Sequence, residues 1–233
     1  MRPYRYYTAI TAIFVTCLIV SNIIAVKLAA LGPFFLPAAV IIFPISYIFG
    51  DVLTEVYGYA RARQTIWIGF GCNLLAVIAI WIGGLLSPAP FWAANQAAYD
   101  TILGFTPRLL IASFTAYLVG EFLNSFVLAR MKVATSGRHL WARTIGSTLI
   151  GQLADSAVFI TLGLLQITAL PSALQGTLLL AALPGTIGAQ WLFKSAYEAA
   201  ATPLTYVVVN FLKRVENEDY YDRETNFNPL ALE

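Results

Sequence analysis

Between Ile66 and Leu86 the chain runs without a single Asp, Glu, Lys or Arg. That stretch has the length of a helix that crosses the hydrocarbon of a bilayer, which takes about 20 apolar residues. It is one of six predominantly apolar runs of about that length. The others are Tyr7 to Ala30, Phe34 to about Val56, Arg108 to Ala129, Thr144 to Ile167, and Thr186 to Leu212, each bounded by charges or by Pro and Gly. With 59% hydrophobic and only 11% charged residues in 233, against roughly 25% charged in a soluble domain, there are too few charges to coat a water-facing surface. The same numbers exclude intrinsic disorder. Cys17 and Cys72 both fall inside apolar runs and build no disulfide framework. The chain reads as an all-α membrane protein of six transmembrane helices over residues 1–215. A polar, acidic tail over 216–233 reads as a mobile cytoplasmic end.

The short connections carry an orientation. Arg2 and Arg5 precede the first run, Arg61 and Arg63 follow the second, and Arg130, Lys132, Arg138 and Arg143 follow the fourth. Lys213 and Arg214 follow the sixth. The intervening connections are nearly free of basic residues; Lys27 ends the first run, and Ser87 to Thr106 carries only Asp100. Positive charge stays on the cytoplasmic side, so both termini are predicted to be cytoplasmic. The first run is longer than the apolar part of a cleaved signal and is read as a retained span. Thr177 to Leu183 is too short to cross and reads as a re-entrant turn or as the start of the sixth span. Trp81, Trp92 and Trp141 fit interfacial anchors. A net charge of +2 gives no argument for nucleic acid. With no phosphate-binding loop, the sequence predicts no ATPase of its own and no cofactor.

Several ionisable residues sit where the bilayer would be. Each costs about 2.5 to 3.5 kcal/mol at mid-span on insertion scales, and is retained where it faces a cavity, a partner or a pathway. Asp51 and Glu55 share a helical face with Tyr47 and Tyr59. Glu121 shares one with Tyr117 and Asn124, and Asp155 shares one with Thr148, Gln152 and Phe159. Gln190, Lys194 and Glu198 form an i, i+4, i+8 stripe beside Trp191. Helices with one polar stripe turn it inward, since lipid offers no hydrogen bonds. The expected result is a mid-membrane pocket of carboxylates, amides and aromatic rings. Five carboxylates against two lysines leave three without a basic partner. That favours a solute or proton pathway over a purely structural network. Plainer readings stand beside this one: Arg61 and Arg63 could neutralise Asp51 and Glu55, Lys194 and Glu198 could pair along one helix, and Asn22 and Asn73 could be hydrogen-bond glue. Pro44 and Pro203 are read as bends beside the polar stripes.

Ser21-Asn22-Ile23 with Lys27, Asp51-Val-Leu-Thr-Glu55-Val56-Tyr57-Gly58, Gly151-Gln152-Leu-Ala-Asp155-Ser156, and Lys194 with Glu198 and Pro203 together resemble the queuosine precursor transporter family, part of the vitamin uptake transporter group. Position 156 is Ser where the family pattern suggests Thr, which keeps the hydroxyl. The resemblance implies a bacterial inner-membrane importer of 7-cyano-7-deazaguanine or a related deazapurine. It also implies a fold similar to the substrate-binding subunits of energy-coupling-factor importers. A guanine-like ring offers an N1–H and an exocyclic amine that one carboxylate can accept together. Asp155 or Glu121 is the expected carboxylate, Gln152 and Asn124 the amides, and Phe159, Tyr117 and Trp191 the stacking groups. Lys194, Asn22 or Gln152 is the donor to the ring carbonyl. Competing readings are a binding subunit energised by a separate ATPase and an intramembrane hydrolase using Glu121 and Asp155. The latter has no Ser-nucleophile motif and no His in any span. A homodimer is the attractive assembly, because one six-helix bundle leaves little room for two rocking halves.

Overall fold

The computed structural model describes residues 4–31, 34–104, 107–164 and 180–231. Helix α1 (Tyr7–Ile24) ends before the apolar run does, and the chain passes into strand β1 (Leu28–Leu31). β1 pairs antiparallel with β2 (Phe34–Pro37), Leu28 opposite Pro37 and Leu31 opposite Phe34. A 3-10 turn over Ala38–Ile41 leads into α2 (Phe43–Tyr57). The run expected as one span from Phe34 to Val56 is therefore a hairpin strand followed by a short helix. Proline explains the break. Pro37 supplies no N–H to continue a ladder, and Pro44 occupies the first turn of α2, where no N–H is needed. Pro44 starts the helix rather than bending it.

Gly58, at φ 85°, turns the chain into α3 (Tyr59–Leu85), which begins well before the apolar run. The connection read as a loop holds a 3-10 turn (Pro90–Asn95) and α4 (Gln96–Leu103). Helix α5 spans Pro107–Ala134, with Pro107 in its first turn as the sequence predicts. Helix α6 (Leu140–Phe159) runs on into one π turn, Ile160–Leu164. Residues 177–179 of the stretch Thr177 to Leu183 lie outside the described residues. The 3-10 turn Leu180–Ala182 enters α7 (Leu183–Glu216), which carries Pro203 within it.

Four of these helices, α1, α3, α5 and α6, are long and apolar enough to cross a membrane. Their outward faces carry exposed Leu75, Ile78, Ile111, Ile150 and Leu153, as lipid contact requires. α2 is different. Every residue from Gly50 to Tyr57 is buried, because α1, α3, α5 and α7 all pack on it. α5 and α6 approach closely through glycines: a Cβ at Gly151 would lie 2.7 Å from Asn124 Cβ and 3.0 Å from the Gly120 carbonyl. Small residues at a crossing let helix backbones meet without a hydrophobic driving force.

The tail departs from the expectation of a mobile end. From Glu218 onward it is strapped across the base of α2, α3 and α5. Tyr220 N–H donates to the Val56 carbonyl (3.2 Å), and Asp222 accepts the N–H of Tyr59 (3.0 and 3.1 Å) at the start of α3. Arg63 donates to the carbonyls of Asn226 and Asn228, Tyr59 Oη to that of Phe227, and Trp67 Nε1 to that of Pro229. Phe227 stacks between Tyr59, Phe126 and the Arg130 guanidinium. Two glycines with positive φ receive consecutive tail tyrosines. Gly58 lies under Tyr220 and Gly137 (φ 79°) under Tyr221, and a side chain at either would collide with the ring.

Candidate functional site

The α2 residues Phe43, Tyr47, Asp51 and Glu55 recur every four positions and so form one face of the helix. That face descends through three environments: a cavity, a buried polar layer and an ion cluster.

The cavity encloses about 120 Å³ between α1, α2, α5, α6 and α7, where one water takes about 10–15 Å³ on the same scale. Asn22 and Ser21 of α1, Phe43 and Pro44 of α2, Ser113 and Tyr117 of α5, Asp155 and Phe159 of α6, and Gln190, Phe193 and Lys194 of α7 line it. Lys194 Nζ donates to Asp155 Oδ2 at 2.5 Å and sits 4.5 Å from the centre of the Phe43 ring. Ser113 Oγ donates to Asn22 Oδ1 (3.2 Å). Tyr117 sends its hydroxyl away, to the Ile66 carbonyl (2.9 Å), and so offers its ring. The Gln190 Oε1 is buried and makes no hydrogen bond. A cation, a carboxylate, two amides and aromatic rings therefore converge on one hollow.

The polar layer lies beneath. Asn124 Nδ2 donates to Asp51 Oδ1 (2.8 Å), Thr148 Oγ1 to Glu198 Oε1 (2.9 Å), and Gln152 Nε2 to Glu198 Oε2 (3.2 Å). Glu121 is fully buried beside Gly50 and Phe14, and neither of its oxygens makes a hydrogen bond.

Glu55 forms the base. Its Oε1 receives Arg143 (2.8 Å) and Lys213 (2.7 Å), with Lys132 Nζ at 3.6 Å. Lys132 and Lys213 also hold Asp219 of the tail, at 2.6 and 2.8 Å. Burial raises the Asp219 carboxyl, but its two lysine partners prevail and hold it below the usual carboxylate value. Asp222 is pushed above that value, chiefly by burial.

Of the residues expected to bind a ligand, Asn22, Tyr117, Asp155, Phe159, Gln190 and Lys194 line the cavity. Asp51, Glu121, Asn124, Gln152 and Glu198 form the layer behind it, and Glu55 belongs to the ion cluster. Trp191 points to the α6 backbone instead, its Nε1–H donating to the Leu149 carbonyl (2.9 Å); Phe193 takes the cavity wall. Lys194 pairs across to α6 rather than along α7 with Glu198. Glu55 is neutralised by Arg143, Lys132 and Lys213. Phe43 and Ser113 were not anticipated in the wall. Each sits one turn before a residue that was singled out, Tyr47 and Tyr117, so extending the stripes by a turn would have found them.

A family model described as "Putative vitamin uptake transporter" matches residues 37–208. The chain belongs to this transporter family and is a multi-pass membrane protein. It is 36% identical over 118 residues to a "Probable queuosine precursor transporter" of Bacillus subtilis (strain 168), covering 50% of this chain and 51% of that protein. It is 27% identical over 148 residues to a protein of the same description from Haemophilus influenzae, covering 61% and 60% of the two chains. It is also 27% identical over 117 residues to a "Queuosine precursor transporter" of Escherichia coli (strain K12), covering 50% of each. The matched segments thus span about half to three fifths of these curated relatives. No solved structure matches the chain.

Proposed function

We propose that this protein imports a queuosine precursor, a 7-substituted 7-deazaguanine such as 7-cyano-7-deazaguanine, across the bacterial inner membrane. The observation that carries the reading is the cavity wall, where Asp155, Lys194 and Asn22 face aromatic rings across a space of small-molecule size. Asp155 accepts the N1–H and exocyclic amine of the base. Lys194 or Asn22 donates to the ring carbonyl, and Phe43, Tyr117 and Phe159 cover the flat faces. In this reading α2 and α7 join the four long apolar helices as the fifth and sixth spans. Their charged residues are turned inward, and both termini lie in the cytoplasm. The relatives' names support the substrate class, and the positive connections support the orientation.

The test is ligand-induced thermal stabilisation of the purified protein. A panel would hold 7-cyano-7-deazaguanine, guanine and unrelated vitamins. Saturation at about 100 times Kd is expected to add about 2.7 kcal/mol of stability, with the deazaguanine preferred and the effect abolished by Asp155→Asn. No shift with any 7-substituted deazaguanine refutes the reading.

A further inference from the structure

The polar layer beneath the cavity leaves one carboxylate without a partner. Glu198 accepts two hydrogen bonds and Asp51 accepts one, yet Glu121, fully buried on the next turn below Tyr117, accepts none on either oxygen. The other idle atoms of the two amides in the layer, Asn124 Oδ1 and Gln152 Oε1, are acceptors as well. Idle buried hydroxyls accompany them, on Ser125, Ser156, Ser195 and Tyr47. The Tyr47 hydroxyl is fully buried and unbonded, and it lies close enough to α5 that a Cβ at Gly120 would come within 2.6 Å of it.

The charges around Glu121 are all of one sign. From α2 it faces Tyr47 and Asp51, with Oε2 only 2.9 Å from where a Cβ on Gly50 would stand. From α6 it faces Asp155, and from α7 Glu198. α1 brings Phe14, and α3 brings the Ile66 carbonyl, already bonded to Tyr117; neither brings a charge. The nearby cation, Lys194, is bonded to Asp155, and Arg143, Lys132 and Lys213 are gathered on Glu55. The acidic groups are not grouped to hold a metal ion among the described residues. Among the described residues no cation pairs with Glu121 and no group donates to it, and an ionised carboxylate so placed is among the costliest states a protein interior can hold. A proton on Glu121 removes the charge and lets the group donate to a neighbouring acceptor.

We propose that Glu121 is a proton-binding site that couples solute import to the proton gradient. The inference rests on the importer reading above. A hydronium reaching the cavity gives its proton to a Glu121 oxygen, forming one O–H bond. With Glu121 neutral, the layer carries one charge fewer and tolerates closure over the solute. The same O–H bond breaks when the layer opens toward the ion cluster, and the proton leaves to cytoplasmic water. One proton enters and one leaves for each solute.

The experiment uses full-length protein in proteoliposomes with labelled 7-cyano-7-deazaguanine, together with the thermal-shift assay on the same preparations. With the outside more acidic by one pH unit, wild type is expected to accumulate label about tenfold above equilibration, one proton being worth about that factor. A protonophore should abolish the accumulation. Glu121→Gln, which keeps shape and neutrality but cannot release a proton, should bind the compound with unchanged affinity and exchange it across the membrane without accumulating it. As a measurement that needs no transport, infrared spectra of wild type should contain the carbonyl stretch of a buried, protonated carboxylic acid that Glu121→Gln removes. Accumulation indifferent to the pH gradient or driven by sodium instead, a Glu121→Gln protein that still concentrates solute, or an unchanged infrared band overturns the coupling site. Failure of the compound to stabilise even wild type refutes the substrate assignment; the infrared band then tests the proton site alone.

Discussion

Lys194 Nζ lies 2.5 Å from Asp155 Oδ2, so a single ion pair ties α7 to α6 at the wall of the cavity. Both groups are largely out of solvent, at 12% and 5% side-chain exposure, and neither is tolerable alone. Removing one partner of a buried pair costs about 3 to 5 kcal/mol, whereas replacing both with apolar groups can be nearly neutral. Asp155→Asn is therefore expected to lower the melting temperature markedly, and Asp155→Leu/Lys194→Met to recover most of the loss. Neither variant should bind a guanine-like base. Thermal melts and ligand shifts on wild type and these two variants separate the structural role from the binding role. If the double variant regains both stability and binding, the carboxylate does not recognise the ligand.

The α5–α6 crossing has no spare volume. A Cβ on Gly120 would lie 2.6 Å from Tyr47 Oη and 2.8 Å from Asp155 Cβ, while one on Gly71, mid-way along α3, would meet nothing within 4 Å. Overpacking costs about 1 to 3 kcal/mol. Gly120→Ala is expected to destabilise by that amount and to displace Asp155 enough to impair binding. Gly71→Ala should be neutral or slightly stabilising. Equal melts for the two alanine variants would show that the crossing is loose.

Much of this arrangement could be read before any coordinates. The i, i+4 stripes through Tyr117 and Glu121 and through Gln190 and Lys194, and the i, i+3 pair Gln152 and Asp155, do turn inward, because a bilayer gives polar groups nowhere else to go. Which stripe residue meets the cavity was not legible, since stripes fix a face and not a depth. Helix boundaries are less legible, because hydropathy does not register that prolines at 37 and 44 break one apolar run into strand and helix. The fate of Lys132 and Arg143 was hidden for a different reason. Loop-adjacent basic residues satisfy the orientation rule whether they face water or not, and only the fold brings them from separate helices onto Glu55.

That convergence gives Glu55 a role distinct from its neighbour on the same stripe, Asp51. Three cations lean on it, and taking away the carboxylate leaves them facing one another. Glu55→Gln is expected to cost about 3 to 5 kcal/mol and to loosen α5, α6 and α7 together. Asp51→Asn, which keeps a partner for Asn124 and adds no charge imbalance with a cation, should cost far less. Chemical denaturation in detergent, read by the melting of both variants, checks the contrast. Similar losses would mean that the ion cluster is no more than a decoration of the base.

The tail is held by charge, and its hold depends on pH in a direction that can be worked out. Asp219 titrates below the usual carboxylate value because Lys132 and Lys213 grip its ionised form. A depressed carboxylate contributes stability above its unfolded value that is lost as pH falls through the folded one. Asp222, raised by burial, works the other way: it takes its proton earlier, and that uptake favours the docked tail as the solution acidifies. Between neutral pH and the ordinary carboxylate range, docking should hold or tighten, through Asp222. Release is expected only at pH values below that range, where Asp219 loses its charge. Asp219→Asn should imitate that loss at neutral pH and expose the 218–231 segment to proteases, and Phe227→Ala should loosen the segment while keeping the pH dependence that Asp219 confers. Limited proteolysis across a pH series, with hydrogen exchange at the Tyr59 and Tyr220 amides that the docked tail bonds, measures the effect. If the tail of Asp219→Asn stays as protected at neutral pH as that of wild type, the lysine pair does not hold it.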